Sequence, residues 1–125
     1  RIGIVVQTTQ SAERLEEVVA AVLPRAAEVR VFNTICSATA QRQRSAEELA
    51  GEVDVMVVVG GRNSGNTTRL TEISSAVNPR THHVETAEEL DPSWFAGASL
   101  VGVTAGASTP DVQMTDVIEA IESIR

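Results

Sequence analysis

Cys36 is the single cysteine in a chain of 125 residues. It stands in Asn33-Thr34-Ile35-Cys36-Ser37-Ala38-Thr39, between an apolar run that reads as a strand and a stretch that reads as a helix. A thiol at a helix N-terminus feels the positive end of the helix dipole, which lowers its pKa and favours the thiolate that binds metal or attacks electrophiles. One thiolate is too few for an iron–sulfur cluster or a zinc site, so Cys36 either works alone or takes partners from outside this chain. Three other segments carry the residue types that hold anions. In Gly60-Gly61-Arg62-Asn63-Ser64-Gly65-Asn66-Thr67 a glycine-rich turn precedes a helix, so hydroxyls, an amide and free backbone N–H groups converge near Ser64, Asn66 and Thr67. Ser108 and Thr109 repeat the arrangement after a later strand, and Thr8 and Thr9 do so after the first. No lysine follows the glycines as in a Walker loop, and no Gly-x-Gly-x-x-Gly fingerprint is present. Gly, Ser and Asn also serve ordinary turns and caps, so each loop alone is a weak signal and their number is the stronger one.

The elements that position these residues follow one repeating pattern of apolar strand, small polar loop and amphipathic helix. Ile2 to Val6 reads as a strand, Ser11 as an N-cap, and Leu15, Val18, Val19, Val22 and Leu23 as one face of a helix that Pro24 ends. Val29 to Phe32 is a second strand, followed by a helix from about Thr39 to Ala50 that Gly51 closes. Val55-Met56-Val57-Val58-Val59 is apolar on both faces, as a central parallel strand must be, and a helix to about Val77 follows its loop. A weaker strand near His82 to Glu85 leads to acidic residues and a short turn at Pro92 to Phe95, where Trp94 and Phe95 close against the sheet. Leu100 to Thr104 is the last strand, and Pro110 opens a helix over Asp111 to Ile124. Alternating strands and helices predict a doubly wound, three-layer α/β/α fold with a mainly parallel sheet of four to five strands. In such sheets ligands bind at the carboxyl ends of the strands, where all four unusual loops fall.

Composition narrows the function classes. Aromatic residues are 2% of the chain against 42% hydrophobic, so the core is built from Val, Ile, Leu and Ala. A formal charge of −7, with ten arginines and no lysine, argues against a nucleic-acid partner. No run approaches the roughly 20 apolar residues of a membrane span, and no signal peptide opens the chain, so a cytoplasmic protein without a membrane partner is expected. The lone cysteine agrees with a reducing compartment. Arg1 already heads into a strand, which suggests a piece of something longer. Arg42 and Arg44 are expected to pair with Glu47 or Glu48 on their own helix.

The segment Asn33 to Thr39 with Arg42-Gln43, the segment Val58 to Thr67 with Arg69-Leu70, and Gly102-Val103-Thr104-Ala105-Gly106-Ala107-Ser108-Thr109-Pro110 resemble the signature segments of the hydroxymethylbutenyl diphosphate reductase family, the IspH or LytB family. Gln7-Thr8-Thr9-Gln10-Ser11 is similar to a fourth. Their order and spacing fit over the whole chain, which corresponds to roughly the last third to half of that enzyme. The resemblance implies a cytosolic oxidoreductase of the non-mevalonate isoprenoid pathway. In that family three cysteines hold a [4Fe-4S] cluster, and two electrons and protons remove a hydroxyl group from an isoprenoid diphosphate substrate as water. Cys36 matches the last cluster ligand, Ser64, Asn66 and Ser108 match residues that hold the diphosphate, and Thr8 and Thr9 match the threonine pair beside the substrate hydroxyl. The family also implies an electron donor such as ferredoxin or flavodoxin.

Two departures qualify what carries over. Gly65 stands where some members have a second serine, so only its backbone N–H serves there. The family's other cysteines, its phosphate-binding histidines and its proton-donating glutamate belong to an N-terminal region missing here. The expectation is therefore a single α/β unit over 1–125, with 1–33 associating with a preceding domain and 34–125 forming a C-terminal domain. Alone, this chain is expected to hold no intact cluster and to show no turnover. His82 and His83, in the weaker strand, are expected to be structural and away from the ligand loops. The alternative function is a stand-alone phosphate- or nucleotide-binding module without catalysis.

Overall fold

The computed structural model describes residues 1–8, 10–35 and 37–124, which form two compact units, Arg1–Gln43 and Arg44–Arg125. In the first, β1 (Ile2–Val5) and β2 (Val29–Phe32) pair in parallel with Ile2 opposite Val29, and α1 (Ala12–Val22) forms the crossover. Ser11 caps α1 as expected, its Oγ accepting from the Arg14 N–H at 3.2 Å. Pro24 sits in a short 3₁₀ turn, Leu23–Arg25, that carries the helix to its end.

The helix α2 (Ser37–Glu52) runs past the expected stop at Gly51 and contributes its second half to the second unit. There β3 (Val55–Val59) is the centre of a three-stranded parallel sheet, between β4 (Thr81–Val84) and β5 (Val101–Ala105). All five side chains of β3 are fully buried, which the unbroken apolar run requires. Met56 and Val58 pack with Ala46 and Ala50 of α2 and with Leu70 of α3 (Gly65–Val77). On the other face Val57 and Val59 join Val84 and Val117 of α4 (Asp111–Ser123), with Trp94 and Phe95 against them. Helices thus cover both faces of the sheet, giving the three-layer α/β/α arrangement. Each fully buried valine contributes about 1.5–3 kcal/mol, so β3 anchors this unit. The five strands found among the described residues are all parallel, as expected, but they divide two and three between two sheets.

Among the described residues no helix is long and apolar enough to cross a membrane.

Candidate functional site

The loops with chemistry-bearing residues do lie at the carboxyl ends of the strands. In the second unit the loop after β3 begins at Gly60, whose φ of 154° is a conformation that only glycine adopts readily. Its N–H continues the ladder to Val84 O at 3.0 Å, and Ser64 N–H returns to Gly61 O at 3.0 Å. Ser64 then caps α3, its Oγ accepting from the Thr67 N–H at 3.3 Å while its own proton stays available to a ligand. Gly65 and Asn66 are the first two residues of α3, where backbone N–H groups lack helical partners. Asn66 is 8% exposed, and its Oδ1 is buried without a hydrogen-bond partner. A half-turn of that amide would present its NH₂ instead, so Asn66 can serve as donor or acceptor.

The loop after β5 is tied to the same place. Gly106 N–H and Thr109 Oγ1 both donate to Val59 O, at 3.0 and 3.1 Å, so Ser108 is carried on an exposed turn beside the end of β3. Thr67 binds the two loops through packing. A Cβ on Gly60 would come within 2.4 Å of its Oγ1, and one on Gly106 within 2.2 Å. Both loop backbones therefore close on one fully buried threonine, which in its own segment is only a donor at a helix end.

In the first unit the loops after β1 and β2 meet in a similar way. The Thr34 hydroxyl donates to the Val6 carbonyl, and the Asn33 side chain accepts from the Ile35 N–H at 3.2 Å. Thr8 lies exposed in the turn after β1. Thr9 and Cys36 lie outside the described residues; α2 begins at Ser37.

The two histidines differ. His82 stacks on Trp94 with ring centroids 4.0 Å apart and planes within 1°, and burial, reinforced by Arg80 and opposed by Asp91, holds its pKa below the ordinary value. It is structural, as expected. His83 is not away from the ligand loops: its Nε2 lies 2.8 Å from Gly60 O. Strand alternation separates them, sending His82 and Val84 to the Trp94 face and His83 to the face that carries α3. Further along, Glu85 accepts from the Arg62 N–H at 3.0 Å, and the Arg62 guanidinium reaches Glu89 at 2.7 Å. That hydrogen bond keeps the Glu89 carboxyl below the usual carboxylate range. Neither Gly60 nor Arg62 reveals these partners locally, because strand pairing supplies them from more than 20 residues away.

A cavity of about 420 Å³ opens beside β5 and α4, lined mainly by apolar residues such as Phe95, Val101, Ile118 and Ile121. No residue of the two loops lines it. Among the described residues no group of three or more His, Cys, Asp or Glu side chains is placed to hold a metal.

Parallel strands that end in glycine-turned loops beside a capped helix N-terminus define an α/β domain of the kind whose strand ends can take an anionic ligand. Residues 1–122 match the family described as LytB protein, and the chain belongs to that family. It is 58% identical over 124 residues to the 4-hydroxy-3-methylbut-2-enyl diphosphate reductase of Geotalea daltonii, covering 99% of this chain and 44% of that protein. The enzyme of the same name from Aquifex aeolicus is 55% identical, with 99% and 43% covered. A solved structure of (E)-4-hydroxy-3-methyl-but-2-enyl diphosphate reductase, described as the terminal enzyme of the non-mevalonate pathway, superposes with a TM-score of 0.70 at 55% identity over 97% of this chain and 43% of the other. The Plasmodium falciparum reductase shares the fold, with a TM-score of 0.84 at 24% identity over 94% of this chain and 37% of that one. The chain thus spans less than half the length of the relatives it matches.

Proposed function

We propose that this chain is the diphosphate-holding part of an iron–sulfur reductase acting on 4-hydroxy-3-methylbut-2-enyl diphosphate in the isoprenoid pathway of its relatives. The observation that carries the reading is the convergence of two loops at the paired ends of β3 and β5. Ser64, the Gly65 N–H, Asn66 and Ser108 are the proposed donors to the diphosphate, with the N-terminus of α3 adding its dipole. Neutral donors suit a chain whose formal charge is −7. Thr8 and Thr9 are proposed to hold the substrate's hydroxyl group and pass it a proton, and Cys36 to supply one thiolate of a [4Fe-4S] cluster.

The remaining cluster ligands must then come from outside this chain, in a longer protein with which residues 1–33 are proposed to pack. That cluster, when bound, would supply the electrons for loss of the hydroxyl as water, delivered by a donor such as ferredoxin or flavodoxin. A cytoplasmic setting belongs to the same proposal, favoured by a single thiol in 125 residues.

Titration of the longer protein with the substrate, inorganic pyrophosphate and ATP tests the reading. Tight substrate and pyrophosphate binding is expected, weakened about tenfold or more by Ser64→Ala or Asn66→Ala, since each removes a hydrogen bond to a charged group. Preference for ATP would instead favour a nucleotide-binding module. The 125-residue chain alone is expected to purify without the brown colour of an intact cluster.

A further inference from the structure

We propose that His83 is a positioning residue that sets the path of the β3–α3 loop, and so the placement of the proposed diphosphate donors. The inference rests on the reading of that loop given above. His83 lies opposite Val58 in the β3–β4 register, two residues before Gly60, so its side chain reaches just beyond the end of the neighbouring strand. The Gly60 carbonyl can only accept, so the 2.8 Å contact assigns the proton to Nε2.

The bond falls on the carbonyl of the peptide that joins Gly60 to Gly61. Gly60 takes the positive φ that turns the chain out of the sheet, and a Cβ built on Gly61 would meet nothing within 4 Å. Ser64, however, is aligned through its N–H to Gly61 O. An error in the direction of Gly60 is therefore carried through Gly61 to Ser64, Gly65 and Asn66. β4 and the residue after it hold the loop at three points, with Val84 O on the Gly60 N–H at 3.0 Å, His83 on Gly60 O, and Glu85 on the Arg62 N–H at 3.0 Å. Val84 fixes the Gly60 N–H, whereas His83 fixes its carbonyl and so the orientation of the peptide that leads into Gly61.

Four forms of the longer holoenzyme test the role: the parent, His83→Gln, His83→Asn and His83→Phe. The Gln amide nitrogen reaches about as far as Nε2, whereas that of Asn stops near Nδ1 and Phe carries no donor. With inorganic pyrophosphate as calorimetric probe, His83→Asn and His83→Phe should bind about tenfold more weakly, as loss of one half-buried hydrogen bond predicts. The KM for the diphosphate substrate should rise in parallel, with kcat changed less than about threefold. His83→Gln should stay within about threefold of the parent in both measures. Should His83→Phe fail to fold, the Gln and Asn comparison decides, with melting temperatures confirming that both are folded. Equal binding by parent, Asn and Gln forms overturns the proposal, and so does equal weakening in Asn and Gln, since ring volume rather than the donor would then matter. Failure of the parent itself to bind pyrophosphate overturns the functional reading on which the proposal stands.

Discussion

Thr67 is held by two absent side chains. Its Oγ1 occupies the space that a Cβ on Gly60 or Gly106 would need, and Thr109 Oγ1 stands 3.0 Å from the Gly60 position as well. Gly106→Ala should therefore cost about 1–3 kcal/mol as an overpacked core does, measured by denaturant unfolding. In a double-mutant cycle, adding Thr67→Ala should recover about 1 kcal/mol of that cost, because the Cβ of residue 67 is already 3.4 Å from the new methyl group. Gly60→Ala should recover only its packing part, since its backbone angle adds a strain of about 1–3 kcal/mol that no change at Thr67 relieves. Full recovery in both cycles would show that packing alone selects these glycines. His82 offers a second test at this scale. Its pKa is lowered chiefly by burial, so folding favours the neutral ring; the stabilisation is complete above about pH 6.5 and is lost as pH falls through the lower folded value. Trp94 is the sole tryptophan and lies flat on that ring, so its fluorescence should titrate with a midpoint below about 6.5. His82→Phe should abolish the transition, and a midpoint at or above the ordinary histidine value would contradict the assignment.

The end of α2 shows what sequence reasoning could and could not see among the elements. Gly51 looks like a helix stop, yet it lies within the helix, and the positive-φ glycines are Gly60 and Gly97. The termination is supplied by Asn78, whose Nδ2 donates to Ala50 O at 3.1 Å and Val53 O at 2.9 Å while its Oδ1 accepts from the Arg80 N–H. Gly51→Ala should then stabilise the protein by about 0.5–1 kcal/mol, the helix preference for alanine, because the added Cβ meets Val77 at an ordinary 3.6 Å. Asn78→Asp should destabilise by about 2–3 kcal/mol, since two carbonyls would lose their donor and face a carboxylate. A Gly51→Ala loss in Tm would restore the glycine-cap reading. Strands and helices were legible to within a few residues because hydrophobic period and capping residues are local. The loops proposed to hold the anion were legible for the same reason, through Gly60-Gly61, Ser64 and Ser108. What was not legible came from partners brought by pairing: Asn78 for α2, His83 for Gly60, and Thr67 between two glycines. Each looks like an unremarkable helix, cap or strand residue in its own segment.

At the scale of the whole molecule the two units face different demands. The second surrounds β3 on both faces, with fully buried residues from Val55 to Val59. The first has two strands, α1 and the start of α2, and leaves Val5 74%, Phe32 57% and Val31 42% exposed, with Leu15 the buried apolar residue among its described residues. Two strands are marginal in water unless something packs on their faces, and exposed main-chain edges invite association. The amides of β1 and β2 should therefore exchange with deuterium by local opening, while those of β3 exchange only with global unfolding of the second unit. Adding denaturant below the transition should leave the fast class unchanged and accelerate the slow one. In the longer protein the same β1 and β2 amides should slow by at least about tenfold, because a partner that covers those side chains raises their opening free energy by more than 1.4 kcal/mol. Equal protection of β1 in the chain alone and in the longer protein would mean that the first unit is complete as it stands. The proposal that residues 1–33 belong with a preceding domain would then fall, while the anion-binding reading of the β3 and β5 loops would be untouched.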